Sequence, residues 1–287
     1  MAIETILQLG SRSFSHFLNA TERYLDLLRF LTPDPASRQL LLSGVSSYWK
    51  LSQQMQLITI DKYVQYGVLE GLDIVDWVFS EGEGTGAGAD EADGWTDGHK
   101  WEILRMCLDK HSGRVAAVKR RLRAVERADE AARARRAADV LEKGGDVGEE
   151  DIEVEWELDV PMCCQKADET DAQPERSNEA RDAQTSLDIN TTRLEKVLLA
   201  TSKHFIQTLL PEGDGGLRTV LKLLDAGEEG YWSTRAKYGW FREFIRRYQG
   251  YLGELKSVVE RDVLDKMGSE RGEEMIKGLW SNIGQGQ

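Results

Sequence analysis

Residues 43–80, SGVSSYWKLSQQMQLITIDKYVQYGVLEGLDIVDWVFS, decide how the rest of the chain reads. Leu41, Val45, Tyr48 and Trp49 recur at helical spacing, Leu57, Ile60 and Val64 do so again, and the polar pair Ser52-Gln53 separates them. A third run follows in Ile74, Val75, Val78 and Phe79. Short amphipathic helices cannot cover their apolar stripes alone, so each must stack on neighbours. The pattern therefore predicts a scaffold of helix pairs.

The same period extends in both directions. Ser13 is placed to cap a helix carrying Phe14, Phe17, Leu18, Leu25, Leu28 and Leu31. The run Thr32-Pro33-Asp34-Pro35 ends that helix and starts the next, with Asp34 at the cap and Pro35 in the first turn. Gly67 and Gly71 punctuate the following pair, and residues 81–98 form an acidic, Gly-rich loop read as flexible. Residues 1–113 are thus the first part of a helical-repeat domain.

Residues 114–143 contain no Pro and no Gly, and read as one long basic helix whose apolar positions Val115, Val118, Leu122 and Val125 give way to alanines. Residues 144–186 form an acidic insertion, read as largely disordered because few large apolar side chains are available to offset the entropy of ordering. The repeat resumes over 187–267, first through Leu194, Val197, Leu198, Phe205, Ile206 and Leu209 up to Pro211. Two separate helices then follow, from Trp232 to Tyr248 and from Tyr251 to Met267; residues 268–287 read as a tail, with a frayed last helix as one reading of it. The expected fold is all-α: stacked antiparallel helix pairs of the HEAT-like kind, with one projecting helix.

Several fragments carry a resemblance. Tyr48-Trp49-Lys50, Gln54-Met55, Asp61-Lys62, Trp77-Val78-Phe79-Ser80 and Trp101-Glu102-Ile103-Leu104, in that order and preceded by Gly10-Ser11-Arg12-Ser13-Phe14-Ser15-His16, resemble the C-terminal helical domain of the large subunit of the nuclear mRNA cap-binding complex. The likeness covers roughly residues 5–111 and, more weakly, 190–265, and it leaves out the acidic loop and the insertion. It implies a non-enzymatic scaffold without a cofactor. Its partners would be a small subunit of RNA-recognition fold that binds the 7-methylguanosine cap, capped RNA held indirectly, and mRNA processing and export factors. It further implies a nuclear location with shuttling to the cytoplasm, and roles in pre-mRNA processing, export and hand-over to translation or decay. Since the chain starts within helical pattern at Met1-Ala2-Ile3, the likeness also implies that earlier helical domains of such a subunit are missing. A related scaffold of translation initiation or mRNA surveillance, recruiting a helicase, is the alternative.

Composition sets outer limits. A net charge of −13 with 30% charged residues in 287 opposes bulk coating of nucleic acid, so any RNA contact must be local. Three cysteines, Cys107 and the adjacent Cys163-Cys164, make no spaced disulfide framework and fit a reducing compartment. No apolar run approaches the roughly 18 residues that span a bilayer, so an intracellular protein without a membrane partner is expected.

Each candidate site also has a blander reading. Gly84, Gly86 and Ala89 match a dinucleotide-binding spacing, but no strand precedes them and the acidic neighbours would repel phosphate. Cys163-Cys164 lack nearby paired ligands for zinc, and His16, His99, His111 and His204 sit in no nucleophile or metal motif. Trp49, Trp77, Trp101, Trp232 and Trp240 fall on apolar helical faces, which favours core over cap stacking. The best local RNA or partner contact is Arg114, Lys119, Arg120, Arg121, Arg123 and Arg127, continued by Arg133, Arg135 and Arg136; a solvated helix face is the competing reading. Residues 151–160 alternate apolar and acidic, which suits either a docking strand or an acidic linker.

Overall fold

The computed structural model describes residues 2–80, 98–144, 177–210, 217, 229–262, 264–266 and 271–283. The acidic loop over 81–97, the alternating segment 151–160 and the pair Cys163-Cys164 lie outside these residues. Among the described residues every regular element is helical: α1 (Ala2–Gly10), α2 (Phe14–Arg23), α3 (Leu25–Leu31), α4 (Pro35–Tyr48), α5 (Gln53–Gln65), α6 (Gly71–Phe79), α7 (Gly98–Gly144), α8 (Asn178–Leu209), α9 (Glu229–Asp262) and α10 (Arg271–Ser281), with a 3-10 turn at Leu264–Lys266. The all-α helical-repeat expectation is met. No described helix is long and apolar enough to cross a membrane.

The chain divides into two compact units, residues 1–113 with 191–287 and residues 114–190. In the first, each helix turns its apolar stripe inward: Leu41, Leu42 and Val45 from α4, Ile60, Tyr63 and Val64 from α5, Ile74, Val75 and Val78 from α6, and Ile103, Leu104 and Leu108 from α7 are all buried. The local signals hold where the sequence placed them. Ser13 Oγ accepts the His16 N–H, and Asp34 Oδ1 accepts the Ser37 N–H at 2.9 Å with Pro35 opening α4.

Four elements differ from the sequence reading, each where contacts distant in sequence override a local signal. The helix expected from Ser13 to Leu31 breaks at Tyr24, where φ is −108° and ψ is 19°. The break is braced from α5: Tyr66 donates its hydroxyl to Glu22 at 2.6 Å, and Arg29 donates to the Tyr66 carbonyl at 2.7 Å. The two helices expected around Gly250 are one, α9, in which Tyr248, Leu252, Leu255 and Val259 share a buried face that outweighs the propensity cost of Gly250 and Gly253. Residues 178–186, read as disordered, form the start of α8. The tail ends in a packed helix, α10, whose Ile276 and Trp280 are buried and whose C-terminus is held by Lys256 donating to the carbonyls of Ser281 and Ile283.

One glycine marks a close helix approach. A Cβ added at Gly71, the first residue of α6, would lie 2.7 Å from His111 Nε2 and 2.8 Å from Val197 Cγ2, so α6 meets α7 and α8 there with no room for a methyl group. Gly71→Ala is therefore expected to cost roughly 1–3 kcal/mol through overpacking. Gly253→Ala, within α9, adds a Cβ that meets nothing within 4 Å and should stabilise by roughly 0.5–1 kcal/mol. Paired urea titrations check both signs, and equal effects would refute the close approach.

Candidate interaction surface

In the 114–190 unit, the outer part of α7 runs beside the start of α8. Val115 and Leu122 are buried and Val118 and Val125 half-buried, while α8 contributes buried Ala180 and Ala183. Ser177 starts α8 by accepting the Ala180 N–H on its hydroxyl at 3.2 Å, and its own N–H points at Asp129 Oδ2 at 3.4 Å. Small side chains allow the two helices to approach, which explains how a segment with few large apolar residues still orders from Asn178 onward. The long helix itself starts at Gly98, not at residue 114, and passes through Gly113 without interruption.

The six residues singled out by sequence do not act as one group. Arg114 is half-buried. Arg121 pairs with Glu179 at 3.2 Å across to α8, both side chains well exposed at 68% and 60%, a geometry worth about 0.2–1 kcal/mol. Lys119, Arg120, Arg123 and Arg127 are exposed and make no ion pair among the described residues. Lys119, Arg123 and Arg127 follow one another at i, i+4 and i+8, and Arg120 lies alongside, so these four share one side of the helix away from the Val115–Leu122 stripe.

No group of three or more His, Cys, Asp or Glu side chains that could hold a metal occurs among the described residues. Two of the histidines are built into helix contacts. His111 closes on Gly71, and His204 stacks on Phe79 with ring centroids 5.0 Å apart and Nε2 3.3 Å from Asp76. Trp77 and Trp101 are buried, and Trp101 lies parallel to the half-buried Trp240 at 6.3 Å. Trp232 departs from the core expectation: it is 65% exposed, with the Arg235 guanidinium 5.7 Å from its ring centroid.

Sequence reasoning passed over the polar nodes that hold the larger unit together. Arg247 on α9 grips Asp109 on α7 bidentately, Nε to Oδ1 at 2.9 Å and Nη2 to Oδ2 at 2.7 Å, while Tyr248 donates its hydroxyl to Oδ1 at 2.7 Å. Partial burial pushes the Asp109 carboxyl up, but the Arg247 and Tyr248 hydrogen bonds and the charges of Arg247 and Arg105 outweigh it and hold the group below its ordinary range. On Tyr248, burial and the bond to Asp109 push the phenol up. Nothing local in the sequence flags a pair 138 residues apart. A second node joins α4 to α6: Arg38 Nε donates to Asp73 Oδ2 at 2.7 Å, and Gln39 donates to the Asp73 carbonyl at 2.7 Å.

Helices that bury their apolar faces on their neighbours and are capped by local polar residues define a helical-repeat protein. The chain belongs to the MIF4G-like family, whose model matches residues 1–253. Among curated proteins it is similar to nuclear cap-binding protein subunit 1 of Oryza sativa subsp. japonica, with 30% identity over 219 residues covering 72% of this chain and 24% of the relative. The proteins of the same name from Arabidopsis thaliana and Aedes aegypti are 33% and 29% identical over 121 and 120 residues, or 42% of this chain and 13% and 14% of theirs. The chain thus spans a quarter or less of the length of these relatives.

Proposed function

We propose that this chain works as a scaffold segment of a nuclear cap-binding complex, in the manner of a large subunit. The observation that carries the reading is the family match over residues 1–253 together with 30% identity to a nuclear cap-binding protein subunit 1 across 219 residues. The role is non-enzymatic. The chain supports a small subunit of RNA-recognition fold, and that subunit holds the methylated cap; capped RNA is bound indirectly. Pre-mRNA processing, export and hand-over to translation or decay factors follow from carrying such a complex, as does a nuclear location with shuttling.

The physical contribution is preorganisation. A partner that docks on a rigid helical surface loses its conformational freedom before it meets the cap, so less entropy is lost at the cap-binding step. Buried aromatic side chains and the Asp109–Arg247–Tyr248 node favour such rigidity in the larger unit.

Titration calorimetry with a cap analogue tests the division of labour. The chain alone is expected to give no binding heat, and the chain with a co-expressed small RNA-recognition subunit to bind more tightly than that subunit alone. Cap binding by the isolated chain, or co-purification of a helicase in place of the small subunit, would overturn the proposal.

A further inference from the structure

We infer that the Lys119, Arg120, Arg123 and Arg127 stripe of α7 binds the phosphate backbone of an RNA strand, away from the cap. Charge is the first support. Residues 114–136 hold nine basic residues against three acidic ones, Glu126, Asp129 and Glu130, within a chain of net charge −13. Cations gathered this way on an acidic protein create a local attractive field for a polyanion.

Geometry is the second. Lys119, Arg123 and Arg127 present one cation about every 6 Å along the helix axis, because four residues rise about 1.5 Å each. All are exposed, and none of the four stripe residues is neutralised by an ion pair among the described residues. Like charges at i, i+4 spacing weaken a helix by about 0.2–0.5 kcal/mol per pair, so the arrangement costs stability that a bound polyanion would return. Nearby, Arg121 is spent on structure, through Glu179.

The third support separates a nucleic acid from an acidic protein partner. Among the cations this side of α7 offers the small residues Ala116, Ala124 and Ala131 and one carboxylate, Glu130, and no aromatic or large aliphatic side chain. Stable protein interfaces are anchored by such side chains, whereas phosphate binding needs only donors and charge. Arg suits it especially, since its planar fork pairs two phosphate oxygens at once. With no stacking or base-reading group on the stripe, recognition is independent of sequence. Only the choice of RNA as the polyanion rests on the proposed function; the phosphate chemistry rests on the stripe.

Fluorescence anisotropy with the full chain and a labelled, uncapped oligouridine, repeated over a salt series, tests this. Four phosphate contacts predict that log affinity falls with log salt with a slope of about −3 for a single strand. The quadruple variant K119Q/R120Q/R123Q/R127Q should bind at least tenfold more weakly and lose that slope, with a circular-dichroism melt no lower than the native chain's, because all four side chains are exposed and two like-charge pairs are relieved. Wild-type-like binding by the variant, no binding by the native chain, or displacement of RNA by equimolar polyglutamate would each overturn the inference. The use of uncapped RNA and the isolated chain keeps this outcome separate from that of the cap titration.

Discussion

Phe205→Ala is expected to lower the unfolding free energy by roughly 3–5 kcal/mol, the range for emptying a fully buried aromatic site. Phe205 is 1% exposed and sits at the centre of a ring cluster, with centroid distances of 5.1 Å to Phe79, 6.1 Å to Trp101, 5.6 Å to Phe241 and 5.5 Å to Phe244. These partners come from α6, α7 and α9, so one side chain on α8 ties four helices. Edge-on and tilted aromatic pairs add about 0.5–1.5 kcal/mol each beyond area burial, which places the cost toward the upper end. Urea denaturation followed by tryptophan fluorescence measures it, with Trp101 as a local reporter. Phe205→Leu, which keeps most of the volume, should lose less than half as much. A loss under about 1.5 kcal/mol for the alanine variant would mean that the cluster collapses to fill the hole.

Asp73→Ala is the second large effect, expected at about 3 kcal/mol, because removing one partner leaves the other charge buried without compensation. The Asp73 side chain is 4% exposed and its partner Arg38 14%. The same carboxylate accepts the Glu70 backbone N–H at 2.7 Å, so the substitution also strips α6 of a bond to its first turn. Arg38→Ala should be similarly damaging. The double variant R38A/D73A should be less destabilised than the sum, since no buried charge remains. Additive losses in that cycle would show that the two side chains act independently.

Much of the fold was legible from local rules. Helix period, the Ser13 cap and the Asp34-Pro35 start are set within a few residues, so the sequence carries them openly. The failures have one cause. The break at Tyr24 is braced from Tyr66, the continuity of α9 through Gly250 depends on a buried face, and α8 begins at Asn178 because Ala180 and Ala183 fit against α7. None of these is visible to a reading that looks at one window at a time. For the interaction surface, the basic run and its exposure followed from composition and spacing. Which arginine would be taken up by an ion pair, Arg121, did not, since Glu179 lies 58 residues away.

The bond between Asp109 and Arg247 also sets a timetable. Ribosomes add about 5–20 residues per second, so the 138 residues separating these partners take on the order of ten seconds to appear. Throughout that wait α7 has met α5 and α6, which precede it, but the side that receives Arg247 and Tyr248 has no α9 to cover it. A newborn chain would therefore carry an adhesive ridge as it leaves the tunnel, and its successful production should depend on a chaperone that shelters this ridge until α9 arrives.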